Sequence, residues 1–422
     1  MNFIHIKSIP LIFTIGLAAP SLAENDEPIN PIDQTPSEEV HLDMENGVLP
    51  IADDRGFTLQ SKDGKFVFKP YLYLSTNASL HYYADEGLDK AYNQDNIANS
   101  GFAIPYGIIG FTGKAFGKID YNVSINAAGS GGAILQQAWI DYAASPALRF
   151  RVGKLKTPYT HAFMTTLGET LFPMVPTSLS SSVILPHSLN AVTPSIMTGW
   201  DLGVEMHGLV GGKWGYEVGI FNGTGGAVNT ATKGFSDDNH LPSLLYAGRV
   251  TFQPNGAMPA TQGNARMLNQ NKYLIGLSLN YNNEAENEST NDLRAGLEFA
   301  MLSGRWYFAA EAYYMNMGFT NRQKIDEHYN YFGAYAQAGC FVTPQLQLGL
   351  RYDWMDRNGS GKDGSLNAPA VVCNYFIPGT NLKLSGMYQF TGRWGHDTQL
   401  DRDLDDLGIS THTACVQLQY AF

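Results

Sequence analysis

The sequence lacks any apolar run long enough to form a transmembrane helix. Near its start, Ile9 to Ala19 is a short apolar core that follows Lys7 and precedes the small residues Ser21 and Ala23. A helix needs roughly 20 apolar residues to cross a bilayer. The pattern therefore excludes a helical membrane protein, and it predicts a secretory signal peptide over residues 1–23.

Cysteine is also scarce. The three cysteines, Cys340, Cys373 and Cys415, are too few and odd in number for a disulfide framework. Each lies in a predicted strand, which favours small strand residues. A single disulfide or one reactive thiol stays open as the alternative.

Motifs of catalysis and of metal or cofactor binding are absent as well. The chain has no G-x-S-x-G element, no phosphate-binding glycine motif, and no HExxH or paired Cys/His spacing among its ten histidines. We therefore predict that the protein is not an enzyme, holds no cofactor or metal, and binds no nucleic acid.

Negative charge is concentrated near the N-terminus. Residues 24–60 hold ten acidic residues against Arg55 alone, and they include Pro28, Pro31 and Pro36. Such a composition is typical of a disordered segment. We expect an acidic periplasmic leader over 24–60, followed by one folded unit over 61–422.

The folded unit is rich in alternating apolar and polar residues. Glycine, tyrosine and phenylalanine number 44, 23 and 22, charged residues make up 16%, and mean hydropathy is −0.18. Strand side chains alternate between faces, so period-two runs bounded by turn residues predict strands. Sixteen runs occur: 66–82, 102–115, 118–128, 133–143, 147–156, 198–209, 213–222, 243–253, 272–281, 291–301, 304–316, 329–342, 345–355, 369–377, 380–391 and 411–422. They predict an all-β fold, a transmembrane antiparallel β-barrel of 16 strands whose last strand pairs with the first.

The connections between these runs alternate in length. At one end of the predicted barrel most connections are a few residues long, and at the other end most are about ten residues or longer. This alternation is typical of short periplasmic turns and longer external loops. Two connections break the alternation: 129–132 is short where a long one is expected, and 254–271 is long where a short one is expected. A secreted protein of two tandem β-sandwiches is the alternative fold.

Six stretches in order resemble one known family. They are Phe57–Gly64, Arg151–Pro158, Gly219–Gly223, Gly296–Gly304, Asn374–Pro378 and Leu418–Phe422. The chain resembles the phosphate-selective porin O and P family over most of 57–422. The resemblance implies a homotrimeric barrel in the bacterial outer membrane, surrounded by lipid and lipopolysaccharide. It also implies that the third external loop, residues 157–197, folds inward as a constriction loop.

The polar strand faces supply the candidates for the pore lining. They are Lys69, Arg149, Arg151, Lys154, Lys156, Arg249, Arg294, Arg305, Arg351, Lys383, Glu298, Glu311 and Asp353. The candidates include both basic and acidic residues, and the predicted constriction loop, residues 157–197, contains neither lysine nor arginine. A pore attracts anions with basic side chains, so we predict weak ion selectivity.

The predicted function is therefore passive diffusion of small hydrophilic solutes or ions, with phosphate and other anions among them. A surface adhesin or a purely structural barrel protein is the alternative.

Overall fold

The computed structural model describes residues 48–53, 56–84, 96–128, 135–180, 199–223, 244–263, 270–283, 289–319, 328–356, 365–394 and 410–422. The predicted signal peptide, most of the predicted leader and parts of the long connections lie outside the described residues. Each of the sixteen predicted strands has a counterpart among the described residues.

The barrel wall is a single antiparallel sheet. Two strands precede it, β1 (Val48–Asp53) and β2 (Gly56–Ser61). The wall consists of β3 (Val67–Ala84), β4 (Asn96–Ala115), β5 (Ile119–Asn126), β6 (Leu135–Ser145), β7 (Leu148–Lys156), β8 (Trp200–Val210), β9 (Trp214–Phe221), β10 (Leu245–Phe252), β11 (Asn271–Asn283), β12 (Ser289–Ser303), β13 (Trp306–Phe319), β14 (His328–Phe341), β15 (Leu346–Asp356), β16 (Ser365–Asn367), β17 (Ala370–Phe376), β18 (Leu382–Trp394) and β19 (Ser410–Ala421). The short β16 and β17 share one position, because both pair with β15 on one side and with β18 on the other. The wall therefore has sixteen positions, as predicted.

The last strand closes the sheet on the first. β19 pairs with β3 from Ser410 opposite Ala84 to Ala421 opposite Tyr73. Phe422 extends the ladder, because its backbone N–H and C=O each form a 3.1 Å hydrogen bond with Leu72. Hydrocarbon cannot form hydrogen bonds with backbone groups. Closure of the sheet therefore pairs the N–H and C=O groups that an open edge would leave unpaired in lipid. The predicted closed barrel is confirmed.

The apolar strand faces point outward and the polar faces inward. On β12, Leu297 is 55% exposed whereas its neighbour Glu298 is 1% exposed. On β19, Val416 is 54% exposed and Gln417 is 3% exposed. This arrangement, an apolar surface toward lipid and a polar interior, is that of a transmembrane barrel.

Most connections at one end of the barrel are short. Residues 116–118, 146–147, 211–213, 304–305, 342–345 and 377–381 join successive strands there. The exception is the connection between β10 and β11, residues 253–270, which the sequence had already marked as too long. Its described part enters the barrel, as detailed below.

The structure differs from the expected leader at its C-terminal end. β1 and β2 form an antiparallel pair, with Ile51 opposite Thr58. β2 also pairs briefly with β3, with Leu59 opposite Phe68. Acidic composition dominates the leader as a whole, but its last part contains an apolar run in β1, Val48 to Ala52, and alternating apolar and polar residues in β2, and both patterns favour strands.

The described part of the connection between β7 and β8 contains three short helical segments. They are α1 (His161–Met164), a 3-10 turn (Leu167–Glu169) and α2 (Thr177–Ser180). Among the described residues, no helix is both long enough and apolar enough to span a membrane.

Candidate functional site

The connection after β7 turns into the barrel. Its described part, residues 157–180, is named the constriction loop below. Tyr159 stacks on Tyr313 of the wall with ring centres 6.2 Å apart, and Tyr313 stacks on Tyr335 at 6.4 Å. Phe163 and Leu179 are completely buried. The loop thus brings an apolar surface into an interior whose wall is otherwise polar.

Acidic wall residues bind backbone amides of the constriction loop. Glu298 accepts the amide N–H of His161 at 2.5 Å, and Glu311 accepts that of Ala162 at 2.7 Å. Asp353 accepts the amides of Thr177 and Ser178, at 3.2 Å for Ser178. The first amides of a helical turn have no partner within the helix, and carboxylates are favourable there. These three predicted lining residues therefore anchor α1 and α2 to the wall.

Basic wall residues bind backbone carbonyl groups of the same loop. The Lys156 ammonium donates to Phe163 O at 2.5 Å and to Thr165 O at 3.1 Å. Arg351 donates to Met174 O at 2.7 Å, and its guanidinium lies 4.4 Å from the centre of the Phe172 ring. Lys383 donates to Thr170 O at 2.9 Å. The positive charges of Lys156, Arg351 and Lys383 therefore contact backbone carbonyl groups of the loop.

A second group of charges forms ion pairs on the wall from β5 to β12. Arg149 pairs with Asp120 and Asp141, and Arg151 pairs with Asp141 at 3.0 Å and with Glu205 at 3.2 Å.

The pairing continues on β10. Arg249 binds Glu298 with two hydrogen bonds of 2.8 and 3.0 Å and Glu217 at 3.1 Å. Each of the three arginines thus pairs with two carboxylates, so five acids neutralise three bases on this part of the wall.

The remaining predicted lining residues occupy different environments. Lys154 is fully buried and donates to Leu135 O at 2.8 Å. Arg294 is 4% exposed, and Lys69 is half-buried on β3. Arg305 is exposed in the turn between β12 and β13. Arg305 therefore lies at the barrel end and not in the narrow zone.

Exposure separates the wall into two regions. Side chains that bind the constriction loop, such as Glu298 and Asp353, are almost completely buried. Arg149 and Asp120 retain 25% and 30% exposure, and Glu217 retains 22%. Among the ion-paired charges of the wall, those that keep the most contact with water therefore lie on β5, β7 and β9.

His161 adds no charge to the loop at neutral pH. It belongs to the constriction loop and not to a spanning strand. Burial lowers the pKa of His161 to about 3, and the positive charges of Arg249 and Lys156 contribute.

Several contacts of the loop were not anticipated from sequence. Gln262 accepts the amide of Leu171 at 3.0 Å, Asn374 donates to Leu171 O at 2.8 Å, and Gln419 donates to Gly168 O at 2.8 Å. Neutral amide side chains on a polar strand face give no signal of a specific role. For Gln262, the unusual length of the 254–271 connection was the available signal.

The three cysteines are free thiols: Cys340 is half-buried, Cys373 is exposed and Cys415 is buried. Across the described ranges, no group of three or more His, Cys, Asp or Glu side chains is placed to hold a metal ion.

Comparisons with known proteins agree with the fold. The sequence model of the phosphate-selective porin O and P family matches residues 77–422. The outer-membrane channel DcaP of Acinetobacter baumannii is similar in structure, with a TM-score of 0.53 at 12% identity over 86% of this chain and 99% of that one. Outer-membrane OmpT of Vibrio cholerae gives a TM-score of 0.50 at 10% identity, over 85% of this chain and 98% of that one. No curated protein matches the chain in sequence.

Proposed function

The chain belongs to the phosphate-selective porin O and P family, and on that premise we propose that its channel selects only weakly between anions and cations. It is a porin of the bacterial outer membrane that lets small hydrophilic solutes diffuse passively. The short-turn end of the barrel is accordingly the periplasmic end. Family and fold indicate a channel rather than an enzyme.

The observation that carries this proposal is the engagement of the basic side chains. Backbone carbonyl groups accept hydrogen bonds from four of them, Lys154, Lys156, Arg351 and Lys383. Arg149, Arg151 and Arg249 pair with carboxylates. A basic side chain attracts a passing anion in proportion to the charge that it presents to water. Five of these seven are at most 8% exposed, and the more exposed Arg149 and Arg151 are paired with carboxylates. Weak selectivity follows, because the lumen field is the sum of nearly balanced charges.

We also propose that the water path runs along β5–β9. The constriction loop covers the opposite wall, where Glu311, Asp353 and Lys383 hold it. Asp120, Arg149 and Glu217 keep partial exposure on the β5–β9 side. A solute on this path meets paired charges of both signs, which orient a dipole.

Reversal potentials in planar bilayers test the selectivity. The wild-type protein is reconstituted between unequal KCl concentrations, and the potential at zero current is measured. We expect a value close to zero. A strong anion preference, with phosphate blocking the chloride current, would contradict weak selectivity and favour the phosphate-selective behaviour in the family name. A pure, folded protein that passes no current would contradict the channel itself.

For the assembly we propose a homotrimer within lipid and lipopolysaccharide. Phe102 on β4 is 92% exposed and projects from the outer wall. Its cross-strand neighbour is Ala78, and on β18 a methyl group added to Gly386 would meet nothing within 4 Å. A projecting ring beside small residues suits contact with a second copy. Phe102→Ser should lower the trimer fraction in native electrophoresis, whereas Leu297→Ser on β12 should leave it unchanged. Equal trimer fractions in both variants would argue against this face.

A further inference from the structure

The connection between β10 and β11 enters the barrel from the periplasmic end. Thr261 is 2% exposed and Gln262 is 5% exposed, although the other connections at this end are short and lie outside the barrel. Residues 258–263 are named the periplasmic latch below. Burying such a polar segment requires partners for its backbone and side chains, and the partners it uses belong to the constriction loop and the wall.

Four hydrogen bonds join the latch to residues 166–171 of the constriction loop. Two use both backbones: the amide of Thr166 donates to Ala260 O at 3.0 Å, and the amide of Gln262 donates to Glu169 O at 2.8 Å. Two use side chains of the latch. The Thr261 hydroxyl donates to Glu169 Oε2 at 2.8 Å, and Gln262 Oε1 accepts the amide of Leu171 at 3.0 Å. All four fall within residues 166–171.

The latch is itself fixed to the barrel wall. Gln337 on β14 donates to Gln262 Oε1 at 3.0 Å, and Gln347 on β15 donates to Gly263 O at 2.8 Å. Gly263 has a φ of 94°, and a Cβ there would lie 2.7 Å from Gln347 Nε2. The left-handed backbone and the close approach both require glycine. The latch is thus held against one wall while it contacts the loop.

We propose that the periplasmic latch positions the constriction loop, so that the width and steadiness of the pore are set partly from the periplasmic end. Thr261 and Gln262 are positioning residues in this arrangement. Wall residues hold the two ends of the loop, through Glu298 near α1 and Asp353 at α2. The latch holds the segment between those ends, together with Lys383, Asn374 and Gln419 of the wall. The inference rests on the proposed function, because the effect of the latch on the pore is measured as an ionic current.

Loss of the latch contacts should loosen the loop as a unit. In Gln262→Leu, the acceptor for Leu171 is removed while the acceptor for Thr166, a backbone carbonyl, remains. Hydrogen exchange at Thr166 in the folded protein therefore reports cooperative loosening and not the deleted bond. We expect exchange at Thr166 to accelerate several-fold, because local opening becomes easier when neighbouring contacts are lost. In bilayers we expect noisier single-channel currents and closure at lower voltage.

Milder and matched variants keep the test decisive. Thr261→Val removes one hydroxyl with little change in shape, so exchange at Thr166 and channel currents should change in the same direction as in Gln262→Leu, but less. Thr261→Ser keeps the hydroxyl and should match wild type. Thr380→Val is the control, because the Thr380 hydroxyl likewise donates one hydrogen bond at 2.8 Å, here to the backbone carbonyl of Ile377. It lies in an exposed periplasmic turn away from the loop. It should leave exchange and currents unchanged.

The outcomes separate the two proposals. Wild-type exchange at Thr166 in folded Gln262→Leu and Thr261→Val would overturn the latch. Faster exchange with unchanged currents would overturn its influence on the pore. A wild-type protein without conductance would remove the proposed function, while the exchange experiment would still decide whether the latch holds the loop.

Discussion

Arg249 and Glu298 form a two-pronged ion pair inside the barrel, with Nε to Oε1 at 2.8 Å and Nη2 to Oε2 at 3.0 Å. The same carboxylate accepts the His161 amide. One pair of oxygens therefore neutralises a lumen charge and fixes the constriction loop. Because both tasks depend on the same group, loop position and lumen charge are coupled in this channel.

The first prediction concerns this coupling. Glu298→Gln removes one buried charge and leaves Arg249 with Glu217. Breaking a buried pair costs about 3–5 kcal/mol when no partner remains, so we expect a loss toward the lower end of that range in urea unfolding. The reversal potential should shift toward anions. Glu217→Gln, at the more exposed partner of the same arginine, should cost less. Equal losses in the two variants would contradict a special role for Glu298.

The second prediction concerns the anchor of α2. Asp353→Ala removes the acceptor for the amides of Thr177 and Ser178. Loss of such a cap typically costs about 0.5–2 kcal/mol, and we expect faster hydrogen exchange at these two amides. Asp353→Asn keeps a side-chain oxygen and should recover most of the protection. Unchanged exchange in the alanine variant would show that the anchor is not needed.

The third prediction tests the water path. Arg149→Gln removes a partly exposed base on the β5–β9 wall, so the reversal potential should shift toward cations. Lys154→Met removes a base that is fully buried, and the shift should be smaller because that charge is not presented to water. A larger shift for Lys154→Met would place the path elsewhere.

The fourth prediction concerns barrel closure. Phe422 forms two backbone hydrogen bonds with Leu72, and its ring lies against Gly56, where an added Cβ would be 3.0 Å from the ring. Phe422→Ala should lower the yield of folded barrel on heat-modifiable electrophoresis, since the ring helps to hold the closing strand. Phe57→Ala, on the exposed side of β2, should fold as wild type does. Equal yields for the two variants would count against the packing of Phe422.

The wall of the barrel could be predicted from residue alternation because each strand reports its own faces. Val416 and Gln417 are adjacent in sequence, and lipid and lumen separate them regardless of distant contacts. The N-terminal pair of β1 and β2 was not predicted, because ten acidic residues over 24–60 outweighed short apolar and alternating patterns. Lys154 and Arg149 were both predicted from sequence to line the pore. In the structure Lys154 is fully buried, whereas Arg149 is partly exposed to water.

The sequence by itself determined sixteen alternating strands, their closure at Phe422 and a long connection at 157–197 without basic residues. These follow from local period-two patterning and from the requirement that every backbone group in a membrane be paired. Only the tertiary structure decided what the polar side chains do. Whether Glu298, Arg351 or Gln262 faces water or holds the loop depends on residues more than 80 positions away in sequence, which alternation along one strand cannot specify.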